Sequence, residues 1–159
     1  MGLSLAQLIA LSYLAECNRF SDTPAAVAEF LDATRGTTSQ TLKALEHKGL
    51  IARHGDERDG RVQHLRLTPV GRRTVDETST DEITRAIETL GTGAAPLEAA
   101  LEQILRAAQR ARGGRTFGLC GTCRHLQGTP GHHVCGLTRE SLHEADATLR
   151  CVEHDPFAA

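Results

Sequence analysis

The chain has 159 residues, a formal charge of −2 with histidines neutral, and a pI near 6.4. That length allows one domain, or one domain with an appendage. The near-neutral balance excludes a global attraction to nucleic acid, so any such contact must come from a local basic surface. One is present: between Arg35 and Arg73 nine Lys and Arg residues stand against four acidic ones. No apolar run is long enough to cross a bilayer, and the start MGLSLAQLIALSYLAECN lacks a basic n-region, so a cytoplasmic protein is expected. In that reducing compartment five cysteines read as metal ligands or redox groups rather than as a disulfide framework.

Ser4-x-x-Gln7 is a capping-box pattern that opens a helix carrying Leu5, Leu8, Ile9, Leu11 and Leu14, apolar almost all round and therefore expected to be buried, ending near Asn18. Cys17, apart from the other cysteines, reads as a small core residue. Thr23-Pro24 supplies an N-cap and a first-turn proline for a short helix whose inner face is Val27, Phe30 and Leu31. A third helix follows, with Leu42 and Leu45 inward and Gly49 past its end; either Thr34 or Thr37 can cap its start. Two short helices joined by a tight turn are what a helix-turn-helix requires.

Leu50 and Ile51 then open an extended segment, Asp59-Gly60 marks a two-residue hairpin turn, and Gln63, Leu65 and Leu67 alternate with Val62, His64 and Arg66. A helix pair followed by a hairpin bearing Arg58 and Arg61 is the layout of a winged helix. Thr68-Pro69 caps a long helix from Val70 to about Leu90, with Val75, Ile83, Ile87 and Leu90 as its apolar positions. After the interruption at Gly91 to Pro96, a helix from Pro96 to about Arg112 places Leu97, Leu101, Ile104, Leu105 and Ala108 on one stripe, suited to a partner chain or to the preceding helix. Gly113-Gly114 ends it.

SLAQLIALSYLAE, TTSQTLKALEHKGLIAR and DERDGRVQHLRLTPVGRR together resemble the MarR family of winged-helix transcriptional regulators over roughly residues 3 to 110. The resemblance implies a mainly α fold with a small β-hairpin wing, and a homodimer that sets one helix of each subunit in adjacent major grooves of a pseudo-palindromic duplex. It places Ser39, Gln40 and Lys43 on the exposed face of the recognition helix, Arg35 at that helix's start and Arg61 in the wing beside Arg58. Side-chain chemistry agrees: Gln pairs bidentately with adenine, Ser bonds bases or phosphates, and Lys and Arg neutralise phosphate. Two departures stand out. Members commonly carry an additional helix before the one at Ser4, so either the dimer leans more on the later helices or the chain starts further upstream. Members also commonly end near the long helix, so the stretch from Arg115 is an addition. The expected organisation is a winged-helix domain over residues 1–90, a dimerisation helix over 91–114 and a metal-binding segment over 115–159.

That segment holds Cys120, Cys123, Cys135 and Cys151 in a C-x2-C-x11-C-x15-C constellation. Four thiolates suffice for tetrahedral Zn²⁺ or for a [2Fe–2S] or [4Fe–4S] cluster. Structural zinc favours paired knuckles, whereas the third and fourth cysteines here come singly, which leans toward an iron-sulfur cluster. Phe117, Leu119, Val134, Leu137, Leu142, Leu149, Val152 and Phe157 are candidates for an apolar shell, and His154 is a candidate replacement ligand. The expected function is a DNA-binding repressor modulated by the cluster. The alternatives are a regulator with structural zinc and a small organic effector between the dimer helices and the winged domain, and a thiol oxidoreductase using Cys120-Gly-Thr-Cys123. The last is weakened because that motif follows a helix and Gly-Gly rather than a strand. No other catalytic constellation is visible, so the chain reads as a regulator and not as an enzyme.

Overall fold

A computed structural model describes residues 2–57, 59–78, 81–111, 113, 115–129 and 131–156, and of residues 81–84 and 110 the backbone alone. Helix α1 spans Leu5–Glu16 and opens on the expected capping box: the Ser4 hydroxyl accepts from the Gln7 amide, and the Gln7 side chain accepts from that of Ser4. Its burial is one-sided. Ala10, Leu11, Tyr13 and Leu14 are in the core, while Leu5 is 73 % exposed and Ile9 also faces outward, contrary to the expectation of an all-round buried helix.

Helix α2, Pro24–Phe30, is capped by Thr23 and has Pro24 in its first turn. Helix α3, Arg35–His47, is capped by Thr34, whose hydroxyl accepts from the Thr37 amide at 3.2 Å, which settles the ambiguous start in favour of the earlier threonine. The chain leaves α3 through Gly49 at φ +68°, the left-handed conformation a helix end favours and glycine adopts without strain. Leu42 and Leu45 are fully buried, each contributing about 1.5–3 kcal/mol relative to exposure.

Strands β1, Ile51–Gly55, and β2, Gln63–Leu67, pair antiparallel with Ile51 opposite Leu67 and Gly55 opposite Gln63. The wing loop is therefore residues 56–62, longer than a two-residue turn. Its tip closes one residue later than expected, with Gly60 and Arg61 as the central pair, since the Val62 amide donates to the Asp59 carbonyl at 2.8 Å. Asp56 supplies the extra reach: its carboxylate accepts from the Asp59 amide at 2.7 Å and holds the lower part of the loop.

Helix α4, Pro69–Thr78, opens on Thr68, whose hydroxyl accepts from the Gly71 amide. A Cβ on Gly71 would stand 2.0 Å from the Leu50 carbonyl oxygen, so only glycine lets α4 cross there. The expected long helix appears as α4 and α5, Asp81–Glu88, on either side of residues 79 and 80. A 3₁₀ turn at Gly91–Gly93 leads into α6, Ala94–Ala111. Ile87, Leu90, Leu97, Leu101, Ile104 and Leu105 lie exposed along α5, α6 and the turn between them. No described helix is long and apolar enough to cross a membrane.

Beyond α6, β3 (Leu126–Thr129), β4 (His132–Cys135) and β5 (Ser141–Leu142) form a small antiparallel sheet in sequential order. This part packs on the winged helix. Phe117 and Val152 join the same buried cluster as Leu11, Tyr13, Val27, Leu42, Leu45 and Leu65. The rings of Tyr13, Phe30 and Phe117 meet with centroids 4.4–5.9 Å apart, a spacing typical of aromatic packing.

Candidate nucleic-acid interface and cysteine centre

Helix α3 buries Thr38, Leu42 and Leu45, and the 3.6-residue period consequently turns Arg35, Gln40 and Lys43 to solvent, with Ser39 half-buried at the edge. Arg35, Ser39, Arg53, Arg61 and Gln63 line one groove of about 500 Å³ between α3 and the wing. Of the residues expected to face DNA, Arg35, Ser39 and Arg61 thus share a groove, Gln40 and Lys43 lie on the exposed face of α3, and Arg58 lies outside the described residues. Sequence reasoning missed Arg53 and Gln63 as groove residues; β-strand alternation placed Gln63 with Leu65 and Leu67, and the groove it shares with Arg35 and Ser39 is formed by packing across the chain. The Arg61 side chain is 91 % exposed and is held in a fork on Asp59, with Nε to Oδ1 at 3.0 Å and one terminal nitrogen to Oδ2 at 3.1 Å. That carboxylate raises the Arg61 pKa further, so the guanidinium is charged throughout.

Behind the wing lies a second polar group. His64 on β2 stands between two carboxylates, Nδ1 2.5 Å from Asp22 Oδ1 and Nε2 3.1 Å from Asp56 Oδ2. The Asp22 hydrogen bond, aided by Asp56, raises the His64 pKa above its usual value against the opposing effect of burial. Asp22 is itself raised, because burial outweighs the pull of His64 and Arg66. Both shifts say that this pocket retains protons.

The four clustered cysteines meet in space. Cys120 and Cys123 flank the 3₁₀ turn Cys120–Thr122, Cys135 ends β4 and Cys151 follows Arg150. All four line one cavity of about 30 Å³ together with Phe20, Leu126, Leu137 and Leu142. Among the described residues no three His, Cys, Asp or Glu side chains converge closely enough to hold a metal ion as they stand. The cavity is a cysteine-lined space, not a formed coordination sphere. Its donors nevertheless suit thiolates. The Asn18 amide donates to Cys120 Sγ at 3.1 Å, and the Asp155 backbone N–H approaches Cys123 Sγ at 3.5 Å. The Cys120 hydrogen bond lowers the Cys151 pKa to about 6, with further help from Asn18, while that same bond and burial raise Cys120. The pair thus favours the thiolate on Cys151, and thiolate is the form a metal binds. Cys17 is outside this group, its thiol pushed up to about 12 chiefly by burial.

Some expected neighbours are elsewhere. Of the proposed apolar shell, Leu137 and Leu142 line the cavity, Phe117 and Val152 belong to the winged-helix core, Leu119 is 41 % exposed, and Phe157 lies outside the described residues. His154 does not line the cavity. Its Nδ1 meets the Thr116 hydroxyl at 2.8 Å and its Nε2 the Thr122 hydroxyl at 3.0 Å, and it is buried so tightly that a Cβ on Gly118 would strike its ring at 2.3 Å. Both nitrogens are engaged, so His154 is a structural brace and not a replacement ligand.

The segment docks on the end of α1 and on the α1–α2 connector, residues 17–23. Asn18 N–H donates to the Arg150 carbonyl and Arg150 N–H to that of Glu16; the Val152 amide donates to the Ser21 hydroxyl at 2.9 Å; and Arg19 reaches Asp146 and the Ser141 carbonyl.

Residues 1–62 match the MarR family model. No curated protein matches the chain in sequence. Among solved structures, MepR of Staphylococcus aureus in its DNA-binding conformation is 27 % identical, with 67 % of this chain and 81 % of that one covered at a TM-score of 0.58. The transcriptional regulator BldR of Sulfolobus solfataricus (24 % identical, 67 % and 76 % covered, TM-score 0.53) and BpsR of Bordetella bronchiseptica (23 %, 67 % and 75 %, 0.51) share the fold. The architecture is that of a winged helix similar to these regulators, and residues 1–62 are similar to the MarR family, with the cysteine-bearing segment lying beyond the residues the family model matches.

Proposed function

We propose that the protein is a DNA-binding transcriptional regulator, acting as a homodimer on a pseudo-palindromic duplex, whose affinity is modulated by an iron-sulfur cluster on Cys120, Cys123, Cys135 and Cys151. The observation that carries the reading is that four cysteines scattered over 32 residues line one cavity on the core of a MarR-type winged helix. Similarity to MepR, solved in a DNA-binding conformation, supports the DNA-binding half. The exposed α3 face and the groove shared by Arg35, Ser39 and Arg61 supply base-reading and phosphate-neutralising groups. The apolar stripe on α6 supplies a surface for the second subunit.

For the cysteine half, a cluster would supply a redox-sensitive centre whose potential responds to hydrogen bonds at its sulfurs. The chain provides those bonds through Asn18 and the Asp155 amide and lines the cavity with the apolar Phe20, Leu126, Leu137 and Leu142. Protein purified without oxygen is expected to be brown, with iron and sulfide bound. Single Cys→Ser changes at the four positions should lose the metal, while Cys17→Ser should keep it. Colourless protein free of iron would overturn the assignment.

A second reading has its own observation. A cavity of about 680 Å³ lies between α2, α6 and the C-terminal segment, lined by Phe30, Leu105, Gln109, Arg115 and Phe117, and the Gln109 Oε1 is buried without a hydrogen-bond partner. That volume suits an organic effector, and with zinc on the cysteines it would make the protein a ligand-responsive regulator. Zinc in place of iron, together with a small molecule that weakens DNA binding, would select this alternative.

A further inference from the structure

We propose that the α1–α2 connector is the route by which the state of the cysteine centre reaches the wing, with Asn18 as its receiving residue and His64 as its delivering one. The inference rests on the regulated DNA-binding reading above.

The connection is a series of hydrogen bonds joined by one step along the backbone, from Ser21 to Asp22. Asn18, only 1 % exposed, donates from its amide nitrogen to Cys120 Sγ and accepts with its amide oxygen from the Ser21 hydroxyl at 2.8 Å and the Phe20 backbone at 3.1 Å. Ser21, fully buried, also receives the Val152 amide on its hydroxyl and the Tyr13 phenol on its carbonyl, at 2.9 and 2.8 Å. The next residue, Asp22, accepts the Leu65 amide of β2 on its carbonyl at 2.7 Å and holds His64 with its carboxylate. His64 in turn holds Asp56, Asp56 holds the Asp59 amide, and Asp59 grips Arg61. The path therefore runs from a sulfur in the cavity to the exposed arginine of the wing without a gap.

Two features make this path more than proximity. The Asn18 side chain is oriented by three partners, so a change in what Cys120 Sγ accepts cannot be absorbed by free rotation of the amide; it must move Ser21 or break a buried hydrogen bond. At the far end, the Asp56 carboxylate that His64 holds also accepts the Asp59 amide at 2.7 Å within the loop of residues 56–62, so the placement of His64 bears directly on the placement of the loop. A metal held by Cys120 would share the sulfur's lone pairs and charge, and the Asn18 N–H bond to that sulfur would change strength. Tightening or loosening at Asn18 then shifts the connector, the Asp22 carboxylate, and the wing that carries Arg61.

The test compares metal-loaded protein, purified without oxygen, with the same protein after chelation, on a duplex selected from a random pool by the parent. The parent is expected to show a roughly 5- to 150-fold difference in affinity between the two forms. His64→Gln removes the imidazole that bridges Asp22 and Asp56 and should bring that ratio to within about twofold while leaving metal content and absorption spectrum unchanged. Asn18→Asp keeps the acceptor for Ser21 and Phe20 but removes the donor to sulfur, and should also flatten the ratio if it folds. In the parent, the His64 ring resonances should shift between the loaded and chelated forms. A parent with equal affinity in both forms would overturn the regulatory reading itself. A parent with a large ratio that His64→Gln retains, or whose His64 resonances stay put on chelation, would overturn the route alone.

Discussion

Arg61 and Gln40 occupy different positions on the same face, and their chemistry separates their roles. Arg61 sits at the wing tip on a solvent-exposed fork with Asp59, a weak interaction that a phosphate readily replaces. Arg61→Ala is expected to weaken binding to all duplexes and to lower the salt slope of log affinity by about one, read in titrations at several salt concentrations. Gln40, exposed on α3, should act on sequence instead: Gln40→Ala is expected to relax the preference at particular base pairs at a cost of about 1–3 kcal/mol, read by competition among single-base operator variants. His64 gives a third expectation. Its pKa is raised, so the stability it contributes is fully present below its ordinary value of 6.5 and is lost as pH rises through the folded-state value. Asp22, also raised, acts with the same sign from its ordinary 3.8 upward, and the surrounding Arg19, His54, Glu57, Arg66 and Glu140 set the remaining field. Melting temperature should fall from about pH 6.5 upward in the parent, and His64→Gln should flatten that slope.

Among the elements, those legible in the sequence were the ones specified by neighbours in the chain. Ser4 with Gln7, Thr23 with Pro24, and Gly49 each set a helix end through residues no more than four positions away. The wing loop was read too short because its tip closes on Gly60 and Arg61, one residue past the Asp59-Gly60 signal, while the lower half involves Asp56, which also meets His64 on the opposite strand. The cysteine spacing announced a common site, but not its neighbour Asn18, which is 102 residues from Cys120 in the chain. No local pattern encodes such a contact. The α6 stripe was legible as a period and is exposed as expected of a surface awaiting a partner. Leu101→Glu, at a position already 57 % exposed, should leave the subunit's melting largely intact but remove about 2 kcal/mol or more of association. Sedimentation at micromolar concentration should then show monomer where the parent is dimeric; an unchanged dimer would place the interface elsewhere.

At the scale of the whole molecule, the C-terminal segment is part of the winged helix's own core. Ending the chain at residue 114 would remove Phe117 from the aromatic group with Tyr13 and Phe30, remove Val152 from the cluster, and leave the Ser21 hydroxyl without the Val152 amide. Such a truncated protein is expected to lose several kcal/mol and to melt with a broadened transition, by analogy with the cost of emptying a buried aromatic position, about 3–5 kcal/mol. A truncated chain as stable as the parent would show that the segment merely rests on a self-sufficient domain.

The placement of Phe117 and Val152 also sets a timetable for synthesis. Leu65, which they help to enclose, leaves the ribosome about ninety residues before Val152, so at about 5–20 residues per second the domain spends roughly 5–20 seconds with its core open on one side. During that interval Tyr13 and Phe30 are exposed to chaperones and to other nascent chains, and the connector lacks the Arg150 backbone that anchors Asn18. A chain stopped before Val152 would keep that side of its core open for as long as it persisted.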